Sequence, residues 1–184
     1  MPSRTGSLTQ LDERGRARMV DVTAKGSTDR VARARARVVL APGTAERLRR
    51  GALGGGEALV LAKAAGMLGA KATPRLVPLC HQVLLGGADL QLEVDETGVT
   101  IEATTVAHDR TGVEIEALTA CMVAALSLFE ACRDDDPMAR IEDVVVLEKA
   151  GGASGSWRRG ADGTVDHVPT GEPPGKPPGG RAGP

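Results

Sequence analysis

Aromatic side chains are nearly absent from this sequence: its 184 residues include one phenylalanine, one tryptophan and no tyrosine. Proteins that bind single-stranded nucleic acid stack bases on aromatic rings, so the composition argues against that class. A formal net charge of -1 also argues against a partner that attracts excess positive charge, such as a phosphate backbone or an anionic membrane surface. The hydrophobic core must therefore be built from alanine, valine and leucine.

Cysteine is also scarce, and its spacing excludes two kinds of site. The three cysteines are Cys80, Cys121 and Cys132, with no CxxC pair among them. This spacing supports neither a zinc site nor a disulfide framework, and we interpret the side chains as small buried hydrophobes. No apolar run reaches the length of a membrane span and the N-terminus does not resemble a signal peptide, so we expect a cytoplasmic protein.

The distribution of periodic patterns divides the chain into three parts. Residues 1–16 are polar, and we predict a flexible N-terminus. Residues 17–155 contain the regular patterns and form the predicted domain. Residues 156–184 lose periodicity and end in glycine and proline, so we predict a disordered tail that buries too little apolar surface to fold.

The patterns within residues 17–155 predict an α+β domain. Residues 31–40 alternate arginine with alanine or valine, which indicates a strand with one basic face. Residues 88–95 and 99–107 also alternate, and the turn between them predicts an antiparallel hairpin. The remaining elements are a strand or extended arm at 17–25, helices at 44–53, 57–72 and 112–133, and a last strand at 141–148. This order predicts an antiparallel sheet with helices packed on one face.

Helix ends and helix faces give more specific predictions. Thr44 is the predicted N-cap of the first helix, Thr73-Pro74 is predicted to end the second, and Thr111 with Glu114 fits a capping box for the third. The apolar residues of the third helix that recur at helical spacing, and so predict its buried face, are Leu118, Met122, Ala125, Leu126 and Phe129.

Two segments place polar groups beside apolar ones. A helix of small residues leads through a proline-bounded turn into Leu79-Cys80-His81. The imidazole there could orient a substrate or transfer a proton, or it could be a core histidine bonded to a carbonyl group. Glu114 and Glu116 lie at a predicted helix N-terminus, where they could recognise the ring N–H groups of a pterin or guanine. Glu114 is equally explained as a capping residue.

Two further segments carry charge. Glu130 and Arg133 are three residues apart near the end of the long helix, so a surface ion pair would explain them. Lys149 ends a predicted strand and precedes the glycine-rich residues 150–155. Backbone N–H groups and an ammonium group in that arrangement could bind a phosphate.

Four motifs, taken in order, resemble those of one family. The opening LTQ…RMVDVTAK at residues 8–25 resembles LTH…MVDVSAK, and residues 65–81 resemble AGI.AAK.T..LIPLCHP. RTGVEIEALTA at 110–120 is similar to TGVEMEALTA, and KAGGASG at 149–155 to KSGGKSG. On these motifs the sequence is identified as a member of the MoaC-type cyclic pyranopterin monophosphate synthase family.

The resemblance implies both a fold and a reaction. The fold would be ferredoxin-like, in a hexamer built as a trimer of dimers with its sites at the dimer interface. The reaction, part of molybdenum cofactor biosynthesis, would convert a 3′,8-cyclised dihydro-GTP made by a radical enzyme into cyclic pyranopterin monophosphate and release pyrophosphate. The resemblance implies no metal, organic cofactor, nucleic acid or membrane.

The resemblance also assigns residues. The catalytic positions fall on Lys25, Glu130, Arg133 and Lys149. The substrate-binding positions fall on Leu79, Cys80, His81, Ile115 and Glu116, with Glu114 beside them.

The sequence departs from the family motifs at several positions: Gln82 stands where the motif has proline, and four further departures change charged residues. Gly55, Arg133 and Ala153 stand where the motifs have lysine, and Glu130 stands where they have aspartate. Besides an active synthase, these differences allow two other hypotheses. One is a catalytically silent relative that binds a pterin or nucleotide or serves as a structural subunit. The other is an enzyme redirected to a related guanine-derived substrate.

Overall fold

The computed structural model describes residues 10, 12 and 14–168. Most of the predicted flexible N-terminus and the glycine- and proline-rich end of the chain lie outside these residues. Within them, residues 17–25 adopt the extended arm rather than a regular strand.

Six strands form one antiparallel sheet in the order β2-β3-β1-β4-β5-β6. The elements in chain order are β1 (Thr28–Val39), α1 (Pro42–Arg49), α2 (Ala58–Leu76), β2 (Leu85–Asp95), β3 (Gly98–Asp109), α3 (Glu114–Cys132), β4 (Arg140–Ala150), β5 (Ser156–Arg159) and β6 (Val165–Val168). Without α1, the sequence β1-α2-β2-β3-α3-β4 and its strand order are those of a ferredoxin-like fold. The predicted α+β class, the long strand and the hairpin are confirmed.

The two faces of β1 show how the sheet separates core from solvent. Its alternating residues Ala32, Ala34, Ala36 and Val38 are fully buried beneath α3. The arginines between them lie on the opposite face, where Arg33, Arg35 and Arg37 pair with Glu102, Asp143 and Asp95. The helices therefore cover one face of the sheet, as predicted, and paired charges cover much of β1 on the other.

Glycines bring α2 and α3 into close contact. A Cβ on Gly66 would lie 2.3 Å from Cδ2 of Leu90 and 2.8 Å from the carbonyl oxygen of Ala120. A Cβ on Gly69 would lie 2.8 Å from Cβ of Val123. The small residues of α2 are therefore needed for packing against α3 and β2, because larger side chains would force the elements apart.

The predicted end of α2 is wrong, because the helix continues past Pro74 to Leu76. A proline has a helical φ and lacks only its own N–H, so a helix can continue beyond it at the cost of one hydrogen bond. Here the N–H of Val77 still donates to the carbonyl oxygen of Thr73 at 2.9 Å.

The predicted cap and end of α1 are also wrong. The N-cap is Ala41, Thr44 lies buried inside the helix, and the helix ends at Arg49. The carboxylate of Asp136, distant in sequence, lies at the start of α1 and accepts a hydrogen bond from the N–H of Ala41 at 2.6 Å.

The capping box predicted for α3 does not form. Val113 is the N-cap, and no side chain caps the helix. The hydroxyl oxygen of Thr111 is buried without a hydrogen-bond partner among the described residues. Glu114 instead approaches Lys149.

The buried face predicted for α3 is wrong in part, since Met122 is 53% and Leu126 60% exposed. The fully buried positions of the helix are mainly small residues: Ala117, Ala120, Cys121, Ala124, Ala125, Leu128 and Cys132. Small side chains occupy this face because α3 lies close to both the sheet and α2. The helix has the length and composition of a membrane span, but half of it is buried inside the fold.

Regular structure continues beyond the predicted domain end. Residues 156–159 and 165–168 form β5 and β6, so the predicted loss of structure from residue 156 is wrong for this part of the tail. Trp157 in β5 pairs with Lys149 in β4. The Nε of Arg158 donates to Oε2 of Glu148 at 3.0 Å, which fixes β5 to its neighbour.

We predict that Gly66→Ala lowers the free energy of unfolding by about 1–3 kcal/mol, because the added methyl overlaps the carbonyl group of Ala120. Gly43→Ala is the matched control: it also lies in a helix, but no atom lies within 4 Å of its Cβ position. Its free energy of unfolding should stay unchanged or rise by up to about 1 kcal/mol. Urea unfolding at one protein concentration measures both, and equal effects would contradict the packing argument.

Candidate active site

A cavity of about 960 Å³ opens where β1 begins, β4 ends and α3 begins. It is bounded by the extended arm, the turn before α3 and the glycine turn after β4. Five of the predicted site residues line it: Lys25, Leu79, His81, Glu114 and Lys149. The fold therefore brings together motifs that are up to 124 residues apart in the chain, the interval from Lys25 to Lys149.

Lys149 links the elements around the cavity. Its Nζ donates a hydrogen bond to Oγ of Ser154 and lies 3.7 Å from Oε1 of Glu114. The lysine side chain is only 12% exposed, so its ammonium group is held near the wall rather than free in solvent. The predicted pairing of this lysine with a glycine turn is therefore present, and a carboxylate from α3 adds to it.

The glycine turn after β4 requires left-handed backbone at two positions. Gly151 has a φ of 91° and Gly152 a φ of 83°. A Cβ on Gly151 would lie 2.0 Å from the carbonyl oxygen of Asp29, and one on Gly152 would lie 1.7 Å from Nη1 of Arg30. Only glycine allows the backbone to pass this close to the start of β1.

Arg30 lines the cavity and was not predicted from the sequence. It is 9% exposed, and its Nε and Nη2 donate to the carbonyl oxygens of Asp109 and Arg110 at 3.3 and 3.2 Å. Among the described residues, it has no carboxylate partner within ion-pair distance. Because a buried charge without a counter-ion is costly, this guanidinium group suits an anionic ligand.

The sequence did contain a signal for Arg30. It is in phase with Ala32 and Ala34 on β1, so it belongs to the apolar face of the strand rather than to the face of Arg33. A charged residue on the apolar side of an alternating strand is either paired or functional, because burial disfavours it otherwise.

His81 fixes the extended arm against the cavity. Its Nε2 lies 2.7 Å from the carbonyl oxygen of Val20. A carbonyl oxygen only accepts hydrogen bonds, so this contact places a proton on Nε2. The imidazole is thus oriented by the backbone, and its second nitrogen remains for a ligand.

Three other predicted residues stand close to the cavity without lining it. Glu116 is 4% exposed, and burial raises its pKa, with the negative charges of Glu114 and Asp109 adding to the effect. The pKa of the half-buried Cys80 thiol is raised by burial and by Glu116. Ile115 is 39% exposed on α3.

Glu130 and Arg133 do not line this cavity. Glu130 follows Glu114 along α3 by about 24 Å of helix axis. It forms an exposed ion pair with Arg133 at 3.3 Å. The Gly54–Gly56 turn lies beside them, since a Cβ on Gly54 would lie 3.4 Å from Cβ of Ala131. Position 55, where the family motif has lysine, therefore belongs to this second end of the molecule.

The charges around the cavity favour an anion. Lys25, Arg30, Arg110 and Lys149 line it, against the single carboxylate of Glu114. Within the described part of the chain, no three His, Cys, Asp or Glu side chains are grouped to hold a metal ion. The lining is chemically suited to phosphate groups.

Comparison with known proteins identifies the family. Residues 19–152 match the MoaC family. This chain belongs to the MoaC family. It is 49% identical to the cyclic pyranopterin monophosphate synthase of Streptomyces avermitilis, over 86% of this chain and 93% of that protein.

Two further relatives are similar to this chain over most of both sequences. The cyclic pyranopterin monophosphate synthase of Thermomicrobium roseum is 46% identical, over 84% of this chain and 95% of that protein. A Mycobacterium tuberculosis protein named cyclic pyranopterin monophosphate synthase 2 is 45% identical, over 85% of this chain and 93% of its own length. MoaC-family similarity thus spans the domain and the motif residues of both ends.

We predict that Glu116→Gln stabilises the folded protein at neutral pH. In the wild type, the raised pKa means that the folded state binds a proton more tightly than the unfolded chain, so stability falls as pH rises from the ordinary value of 4.5 through the folded pKa. Glutamine does not ionise, so the variant does not lose this stability as the pH rises. Thermal unfolding should show a gain at about pH 8 that disappears towards about pH 4.

Glu130→Gln controls for the loss of one negative charge, because Glu130 is exposed on the same helix. A stability difference for Glu116→Gln that is equal at both pH values, or that Glu130→Gln reproduces, would contradict burial as the cause.

Proposed function

We propose that this chain is a cyclic pyranopterin monophosphate synthase, a lyase of molybdenum cofactor biosynthesis. Its substrate is the 3′,8-cyclised dihydro-GTP, and its products are cyclic pyranopterin monophosphate and pyrophosphate. The observation that carries the proposal is the cationic cavity in which five motif residues meet. Relatives of that name, aligned over nearly their whole length, support it.

Three of the four cations that line the cavity come from different elements, and together they are suited to the triphosphate of this substrate. Lys25 comes from the arm, Arg30 from β1 and Lys149 from β4. Arg30 has the strongest physical reason to bind phosphate, because its buried guanidinium group lacks a carboxylate partner among the described residues. A planar guanidinium can donate two parallel hydrogen bonds to one phosphate group.

The carboxylates at the start of α3 are suited to the ring N–H groups of a guanine-derived base. Glu114 lines the cavity directly. Glu116 is buried beside it, and burial raises the pKa of this carboxyl group, so it keeps its proton to a higher pH than an exposed glutamate does. Leu79, Cys80 and Ile115 then form the apolar surroundings of the ring, and Nδ1 of His81 is available to the ligand.

Lys149 is the residue best placed to transfer protons in the reaction. It is held between a hydroxyl and a carboxylate at the wall of a cavity that takes an anionic substrate. An ammonium group in this position can stabilise the charge on a departing phosphate and donate a proton to it.

The complete site requires a second copy of the chain. Glu130 and Arg133, assigned to catalysis by the family motifs, lie at the far end of α3. A partner subunit would bring them to the cavity of the first. Exposed apolar side chains on α2 and α3, among them Leu68, Met122 and Leu126, favour further packing between copies. We therefore propose a hexamer built as a trimer of dimers, acting in the cytoplasm.

The departures from the family motifs leave the required charges largely in place. Glu130 retains a carboxylate and Arg133 retains a cation. Gly55 removes one cation at the second end and Ala153 removes one at the cavity, and both losses should weaken substrate binding. No feature of the cavity favours the silent relative over the enzyme.

The proposed function predicts turnover of the cyclised nucleotide by the purified protein. Product is measured as cyclic pyranopterin monophosphate, with pyrophosphate release as a second readout. Lys149→Ala should lower kcat by at least about a hundredfold, as expected for loss of a group that transfers a proton or stabilises charge in the transition state. Absence of product at every wild-type concentration would reject the function.

A shared site predicts complementation between two inactive chains. Coexpression of Lys149→Ala with Glu130→Gln should restore roughly a quarter of the wild-type activity, because half of random dimers are mixed and each has one intact site of two. The matched control is Lys149→Ala with His81→Ala, two changes in the same cavity, which cannot form an intact site. Equal activity of the two mixtures would contradict a site shared between subunits.

A further inference from the structure

Ser154 has one hydrogen-bond partner among the described side chains, the ammonium group of Lys149. It lies in the glycine turn after β4 and lines the cavity. Its side chain is exposed, so it contributes little to the hydrophobic core. The contact therefore acts on Lys149 rather than on the packing of the domain.

Other groups hold the turn in place. The N–H of Gly155 donates to the carbonyl oxygen of Gly152 at 3.0 Å, and the N–H of Gly151 donates to Oγ of the buried Ser156 at 3.4 Å. The close approach of Gly151 and Gly152 to β1 fixes the backbone further. The hydroxyl of Ser154 is not required for any of these contacts.

A lysine side chain has four rotatable bonds and three equivalent N–H donors, so it needs at least two fixed contacts to aim one donor in a chosen direction. Ser154 gives Lys149 a hydrogen bond, and the carboxylate of Glu114, 3.7 Å away, holds the same ammonium group by charge. With these two contacts on the wall, the other N–H groups of Lys149 are available to a ligand in the cavity that the lysine lines.

We propose that Ser154 is a positioning residue that, together with Glu114, aims the ammonium group of Lys149 at the reacting phosphate. The inference rests on the proposed function, in which Lys149 transfers a proton. It assigns a role to a hydroxyl that lies within the motif at residues 149–155 but to which the resemblance gave no role. Since Lys149 would still bind the substrate charge without Ser154, the loss falls on kcat rather than on KM.

The test compares steady-state kinetics of single and double variants with the cyclised nucleotide. Ser154→Ala should lower kcat by roughly ten- to a hundredfold, the range expected for one hydrogen bond to a charged group, and change KM by less than about threefold. Ser154→Thr keeps the hydroxyl and should stay within about threefold of the wild type. Ser154→Ala added to Lys149→Ala should cause no further loss, because the serine acts through the lysine.

Ser156→Ala is the control for a purely structural effect. It removes a serine hydroxyl that does not contact Lys149 and whose 3.4 Å bond from Gly151 is long, while the bond from Gly155 to Gly152 and the approach to β1 still hold the turn. Its kcat should remain within about threefold of the wild type. An equal loss in Ser156→Ala, a wild-type kcat in Ser154→Ala, or additive losses with Lys149→Ala would each overturn the inference. An inactive wild type would instead reject the proposed function, and this inference with it.

Discussion

The close approach of α3 to the sheet and to α2 is the constraint on which the rest of the structure depends. Alanines on β1 and glycines on α2 remove the side-chain bulk that would otherwise separate these elements. α3 is thereby fixed along its whole length, with its first turn at the cavity and its last turn at the opposite end. A chain almost without aromatic residues can have a dense core because its backbones lie close together.

The alternation of polar and apolar residues, together with the residues of the turns, was sufficient to predict the class of fold, because each main strand has one solvent-exposed and one buried face. They failed where distant residues decide local structure. At the start of α1, where a cap from Thr44 was expected, the N–H of Ala41 is bound by the distant Asp136. α2 continues past Pro74 because the next hydrogen bond of the helix does not involve the proline nitrogen. The exposed Met122 shows a third limit, since large apolar residues mark a buried face only when the neighbouring elements leave room for them.

In the candidate site too, sequence motifs identified some residues, while the position of others depends on contacts between distant parts of the chain. Motifs identified Lys149, His81 and Glu114, each of which lines the cavity. Arg30 was not predicted, although its position in the alternation of β1 places it on the apolar face. The other arginines of the strand lie on the basic face, and the pattern they form explains basic residues without a functional site. The motifs assigned Glu130 to catalysis, but Glu130 does not line the cavity formed by this chain. Its distance along α3 separates it from Lys149, so the motif residues of this chain lie at two opposite ends of the domain.

The pairing of β5 with β4 has a spectroscopic consequence. Trp157 is the only tryptophan in a chain without tyrosine, and it lies opposite Lys149 in the strand register. The intrinsic fluorescence of the protein therefore arises next to the lysine of the cavity, with no other strong emitter to obscure it. The emission of the unlabelled chain is a direct optical probe of the point where the glycine turn after β4 begins.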